Sequence, residues 1–207
     1  SVEWSAPTTG WGAAAEWGPP AATALPSGRV AVIAADDTGV NRGQAWHFEP
    51  RTETWVDGFD FSTTSGIGLP LAMAYDAGTG RLIAWTGSGL TGALTTRAYA
   101  STDDGVTWTL YSRGMYPDTV ADTDTIRVAT DPAGADWLAT IGTSHCSSSD
   151  RGVNWRLVGT LTAASVGSFY VPIRTSNGWM IAYIQAGDLH PKVRVLPSPG
   201  SSFAGAA

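Results

Sequence analysis

Ser101-Thr102-Asp103-Asp104-Gly105-Val106-Thr107-Trp108 decides the fold of this chain. The stretch reads as a tight polar turn between two strands, entered through Tyr99-Ala100 and left through Thr109-Leu110-Tyr111. A carboxylate at the start of a turn accepts hydrogen bonds from backbone N–H groups a few residues on. Glycine at position 105 takes a positive φ at little steric cost. Trp108 then carries the chain into the next strand with a large ring to bury.

A second copy follows at Ser148-Ser149-Asp150-Arg151-Gly152-Val153-Asn154-Trp155, with Ser, Asp, Gly and Trp at the same offsets. Phe48-Glu49-Pro50-Arg51-Thr52-Glu53-Thr54-Trp55 is a worn copy that keeps only Thr-Trp, and Pro199-Gly200-Ser201-Ser202-Phe203 is another with Phe for Trp. The opening Ser1-Val2-Glu3-Trp4 has the look of the tail of the same unit. The aromatic anchors Trp4, Trp55, Trp108, Trp155 and Phe203 are thus separated by 51, 53, 47 and 48 residues. Short strands repeating at such a period predict a β-propeller.

The motif Ser-x-Asp-x-Gly-x-Thr-Trp resembles the Asp-box, or BNR repeat, of sialidases, sortilin-type receptors, xyloglucanase-type glycosidases and many other propellers. Ser101, Asp103, Gly105 and Trp108, with Ser148, Asp150, Gly152 and Trp155, carry the resemblance. It implies an all-β fold, a β-propeller of about four Asp-box blades, in which these eight residues are structural. The chain also resembles propeller domains of phage structural proteins. For a sialidase the resemblance implies an arginine cluster, a Tyr–Glu nucleophile pair and an early Arg-Ile-Pro motif on six blades. Here Pro172-Ile173-Arg174 runs in the opposite order and late in the chain, and the repeats number about four.

Each unit reads as a short strand, a turn, a strongly apolar strand, a variable loop, a strand into the box and an outer strand. The turns are Pro26-Ser27-Gly28, Ala77-Gly78-Thr79-Gly80, Asp131-Pro132-Ala133-Gly134 and Thr175-Ser176-Asn177-Gly178. In the last of these Asn177-Gly178 is a hairpin signal. One domain over 1–207 follows, with blades at 19–61, 70–113, 125–160 and 169–203. The fourth unit has no outer strand after Phe203. Residues 1–9, with a strand at 5–9, are expected to supply it and so close the ring and cover a sheet edge.

Composition narrows the function. With 43% hydrophobic and 14% charged residues, 25 Gly and 12 Pro, the chain is a folded protein rich in strands and turns. A net charge of −6 gives no basic footprint for nucleic acid. Cys146 is the only cysteine, which excludes an intrachain disulfide and a cysteine-rich metal site. No apolar run reaches membrane-spanning length, and no signal peptide is found.

Candidate sites are weighed against plain structural roles. Asp103 and Asp150 read as turn caps, and Trp55, Trp108 and Trp155 as core. His145-Cys146 are neighbours on a strand and point to opposite faces, so they form no dyad. His47 reads as a packed or surface histidine. Asp118, Asp122 and Asp124 lie in a loop over 114–125 whose spacing fits no calcium loop, and a solvated loop is expected. No pair of carboxylates stands out as a glycosidase acid and base. The expectation is therefore no catalytic residues, no metal and no cofactor. Geometry places ligand contacts on the rim opposite the box turns, in loops 36–43, 62–69, 87–96, 114–125, 161–168 and 185–191. These hold Asp36, Asp37, Arg42, Tyr116, Asp118, Asp122, Asp124, Asp188 and His190.

The functional expectation is a non-catalytic binding or structural propeller, a bacteriophage tail or surface component located in the virion. Its partners would be other virion proteins or further copies of itself, and surface glycan, without nucleic acid or membrane. The alternative is a secreted, extracellular propeller that binds carbohydrate or is a degenerate sialidase or glycosidase. An intracellular assembly factor is a third reading.

Overall fold

The structure is a computed structural model that describes residues 20–35, 43–61, 68–88, 94–112, 115, 119–120, 126–142, 144–160, 170–184 and 190–201. The first sheet is β1 (Ala21–Ala24), β2 (Val30–Ala35), β3 (Gly43–Glu49) and β4 (Thr54–Asp60). The second is β5 (Gly68–Asp76), β6 (Arg81–Ser88), β7 (Leu94–Ser101) and β8 (Thr109–Ser112), with β9 (Thr119–Val120) joined to β7. The third is β10 (Ile126–Thr130), β11 (Trp137–Ile141), β12 (Ser144–Ser148) and β13 (Arg156–Thr160). The fourth is β14 (Val171–Thr175), β15 (Gly178–Ile184) and β16 (Pro191–Leu196). Every pairing is antiparallel and, β9 apart, each sheet is a meander in chain order. The four sheets are the blades of a β-propeller, as the repeat predicts. Inner strand β1 lies beside β5, β5 beside β10, and β10 beside β14.

Blades pack face to face, so the inner strands between two blades, β6 and β11, bury both their faces. Ile33, Ala45 and Phe61 of the first blade meet Leu82, Ala84, Tyr99 and Trp108 of the second. Ile83, Trp85, Ala98 and Ala100 of the second meet Trp137, Ala139, Ile141 and Cys146 of the third. Leu138 of the third meets Tyr170, Trp179, Ile181 and Leu196 of the fourth. This explains the unbroken apolar runs of β6 and β11: alternate residues belong to different seams. Aromatic rings meet edge-on at the seams, Trp85 and Trp137 at 5.7 Å and Phe61 and Tyr99 at 5.2 Å. Burying one such ring contributes several kcal/mol at ~25 cal/mol/Å².

The hairpin read at Thr175-Ser176-Asn177-Gly178 forms there, and the reading of 114–125 changes. The hairpin in the fourth blade pairs Thr175 with Gly178, so its two loop residues are Ser176-Asn177. Gly178, at φ 139°, is the first residue of β15 and lies outside the loop. Thr175 Oγ1 accepts the Asn177 N–H and donates to the Gly178 carbonyl, which fixes the turn. The stretch 114–125 also holds more than a loop. Thr119 and Val120 pair with Thr95 and Leu94. The Thr96 hydroxyl donates to the Met115 carbonyl (2.6 Å) and accepts the Met115 N–H (2.7 Å), and both residues are buried. The expected closing strand at 5–9, with anchors Trp4 and Phe203, lies outside the described residues.

Glycine is required where the third blade seats on the second. Gly152 has φ +80°, and a Cβ there would stand 2.7 Å from a Trp137 ring carbon and 3.1 Å from Trp85. By contrast, a Cβ on Gly159 in β13 would meet nothing within 4 Å. Gly152→Ala is expected to lose about 2 kcal/mol or more through overpacking and left-handed strain. Gly159→Ala should leave stability unchanged or raised by up to about 1 kcal/mol. Urea unfolding of both variants checks the pair.

Candidate functional site

The two full boxes fold into one hydrogen-bond network, repeated bond for bond. The Ser101 hydroxyl donates to Asp103 Oδ1 (2.7 Å) and accepts the N–H groups of Gly105 (2.8 Å) and Asp103 (3.3 Å). Asp103 then accepts the Thr107 N–H (2.9 Å) and hydroxyl (2.6 Å), and the Trp108 indole N–H donates to the Gly105 carbonyl (2.9 Å). In the second copy Ser148, Asp150, Gly152, Asn154 and Trp155 repeat every one of these bonds, with the Asn154 amide in place of the threonine hydroxyl (2.6 Å). Asp104 and Arg151, the fourth residues of the boxes, take φ 59° and 61°, and Gly105 and Gly152 take 91° and 80°. Trp108 is buried, while Trp155 and Trp55 are half-buried. Trp155 leans on Trp85 and Trp137, and Trp55 on Phe48.

Burial is the largest single influence on Asp103 and Asp150 and disfavours their ionised form. Together the hydrogen bonds outweigh it. Those from Thr107 and Ser101 hold Asp103 below the usual carboxylate range, and those from Asn154 and Ser148 do so for Asp150. The worn copy at 48–55 lacks this network. Its loop closes through the Thr52 N–H on the Glu49 carbonyl (3.3 Å), with the positive φ moved to Glu53.

The box rim is also where consecutive blades are tied by charge. Arg151, from the third blade's box, meets Asp76 in the inner hairpin of the second blade at 2.7 Å. Asp104, from the second blade's box, lies 3.7 Å from Arg29 in the first blade's hairpin. Asp131, in the third blade's hairpin, pairs with Arg174 of the fourth at 3.3 Å. Asp76 is almost fully buried and also accepts the Gly78 N–H (3.0 Å) and the Thr79 hydroxyl (2.5 Å). An acid before Ala-Gly-Thr-Gly signals a turn. Nothing local signals a partner 75 positions away. These ties are the residues that sequence reading misses.

The opposite rim is described only in part. Asp36, Asp37, Arg42, Tyr116, Asp118, Asp122, Asp124 and Asp188 lie outside the described residues. His190 is exposed and immediately precedes β16. His145 and Cys146 face different seams: Cys146 packs between the second and third blades, and His145 Nε2 is 3.1 Å from the Pro199 carbonyl. Burial pushes the Cys146 thiol up to about 12, which leaves it protonated and unreactive. Burial also lowers the pKa of His145, against the Pro199 bond, and that of His47, where the Arg29 charge adds to it. Among the described residues no group of three or more His, Cys, Asp or Glu is placed to hold a metal.

Four antiparallel blades with this turn network define an Asp-box β-propeller. No protein-family profile matches the sequence, and no curated protein is matched by it. Solved structures share the fold. The GH93 α-L-arabinofuranosidase of Fusarium graminearum, in complex with arabinobiose, superposes with a TM-score of 0.60 at 12% identity, over 90% of this chain and 64% of that one. The β-fructofuranosidase of Schwanniomyces occidentalis gives 0.58 at 11%, over 86% and 47%. The Hadza microbial sialidase Hz136 gives 0.56 at 13%, over 87% and 43%. At these identities the likeness is one of fold, and the chain spans about half to two-thirds of those proteins' length. The resemblance to phage propellers finds no counterpart among these three.

Because the folded pKa values of Asp103 and Asp150 are depressed, their contribution to stability is full above the unfolded value near ~4. It is lost as pH falls through the folded value. The double variant Asp103→Asn, Asp150→Asn should therefore be less stable at pH 7, by about 1 kcal/mol per turn after solvent screening. It should also show a shallower loss of stability between about pH 4 and pH 2 than the parent. Thermal unfolding across that range measures both.

Proposed function

We propose that this chain is a non-catalytic β-propeller that binds carbohydrate on the rim opposite its Asp-box turns. The observation that carries this reading is the commitment of the carboxylates in the box turns and inner hairpins to structural bonds. Asp103 and Asp150 cap turns, and Asp76, Asp131 and Glu49 are held by arginines. That leaves the box rim satisfied by itself and the other rim, with its long connections, to meet a ligand. The shared fold supports a carbohydrate-related role, since the neighbours act on arabinosides, fructosides and sialosides by name. An extracellular location fits such a role.

Assembly into a larger particle, including a virion, is the second reading. It is favoured by the exposed valines Val193 and Val195 on β16. Titration calorimetry against arabino-, fructo-, manno- and sialo-oligosaccharides, with aryl glycosides as cleavage probes, separates the two. The expected result is binding of one class in the high-micromolar to millimolar range, without cleavage, and weakened about tenfold by Asp36→Ala or Asp188→Ala. Cleavage of a glycoside would make the chain an enzyme and overturn the proposal. Absence of binding to every glycan would favour assembly.

A further inference from the structure

The seam between the third and fourth blades holds a buried imidazole. Paired residues of neighbouring antiparallel strands share a face, so His145, opposite Thr140, looks toward the fourth blade as Leu138 does. The Thr140 hydroxyl donates to the Tyr170 carbonyl across that seam (2.8 Å). The His145 ring is fully buried. Its Nε2 is 3.1 Å from the carbonyl of Pro199, in the worn box that follows β16. A carbonyl can only accept, so Nε2 carries the proton and Nδ1 holds a lone pair. Nδ1 is buried and has no hydrogen-bond partner among the described residues.

The turn that closes over the ring is seated on the third blade. The Ser201 N–H donates to the Ser198 carbonyl (3.1 Å), and the Ser198 N–H donates to the Ser201 hydroxyl (3.1 Å). Pro199 is buried. A Cβ on Gly200 would stand 2.1 Å from Arg156 Nη2, and Arg156 Nε donates to the Ser147 hydroxyl (3.1 Å). A second proton on His145, at Nδ1, would have nothing to bond and nothing to balance its charge. The charged side chains that strand pairing turns to this seam are Arg127 on β10, Arg156 on β13, Arg174 on β14, and Lys192 and Arg194 on β16. Tyr170 and Tyr183 are the phenols there. No Asp or Glu occurs in any of β10 to β16. Of the described acids in the adjoining turns, Asp131 is held by Arg174, Asp150 by Ser148 and Asn154, and Asp136 is exposed in the inner hairpin. A buried imidazolium with neither acceptor nor carboxylate is strongly disfavoured, in keeping with the lowered pKa of His145.

We propose that His145 is an acid-sensitive latch between the third and fourth blades: neutral, it holds the Ser198–Ser201 turn on the third blade, and its protonation goes with release of that turn. Opening the turn gives the ring to water, where it binds a proton with the ordinary value near ~6.5. The closed state has the lower value. Closure is therefore fully favoured above ~6.5 and weakens as pH falls from there toward the closed-state value. With one proton taken up per opening, opening becomes about tenfold easier per pH unit in that window.

Amide hydrogen exchange at Ser201, followed by NMR on the intact chain and corrected for the intrinsic pH dependence of exchange, tests the latch. The parent should show level protection above about pH 6.5 and lose about tenfold between about pH 6.5 and about pH 5.5. His145→Gln keeps an N–H for the Pro199 carbonyl and takes up no proton. Its protection should stay level over the same range, which also separates His145 from His47 and His190. The ring resonances of the parent give a check that needs no variant: the His145 imidazole should stay in its neutral Nε2–H form while the turn is closed. Parent protection that does not change with pH would overturn the proposal. So would a His145→Gln variant that follows the parent's pH course, or a ring that titrates near ~6.5 with the turn still protected.

Discussion

A serine hydroxyl and an aspartate carboxylate, two residues apart, hold this fold together. In each full box the serine oxygen gathers two backbone N–H groups while donating to the aspartate, and the aspartate gathers the next N–H and side chain. The turn therefore closes with its polar groups satisfied inside eight residues. That closure is what allows Asp104 and Arg151 to sit at positive φ, a conformation that costs energy for any residue but glycine. With those residues so held, their charged side chains reach the preceding blade.

The same turn acts on two scales. Locally it joins the third and fourth strands of a blade and returns the indole N–H to the turn's own carbonyl. Between blades it supplies the close approach of Gly152 to Trp85, of the Gly105 carbonyl to Gly58, and of Gly200 to Arg156. Tight contact of this kind makes a seam specific, since the apolar clusters alone would tolerate sliding. The charges on the rim add direction. Asp104 faces Arg29 and Arg151 faces Asp76, so the sign is reversed from one seam to the next. A blade docked on the wrong neighbour would meet a like charge, Arg151 against Arg29 or Asp104 against Asp76.

Much of this was legible in the sequence because it is local. The Ser, Asp, Gly and Trp spacing announces the turn, and the runs Ile126–Thr130 and Trp137–Ile141 announce strands with no ambiguity of period. What was not legible depends on pairs far apart in the chain. Asp76 and Arg151, or Thr96 and Met115, leave no pattern in either segment alone. The hairpin at Thr175-Ser176-Asn177-Gly178, by contrast, was legible because the Thr175 hydroxyl closes it locally. The candidate ligand rim was read only as a location. Its named loop acids apart, the sequence offers no repeated spacing there from which chemistry could be inferred, and fold alone does not assign function.

The central claim is that an Asp-box turn sets the stability of the blade before it as well as its own. Native-state hydrogen exchange on Ser148→Ala measures this directly. The account predicts faster exchange in β12 and β13 and, across the seam, in β6 and the Asp76 to Arg81 hairpin, with the first blade unchanged. Faster exchange confined to residues 148–155 would contradict it, because the box would then be a turn cap and nothing more.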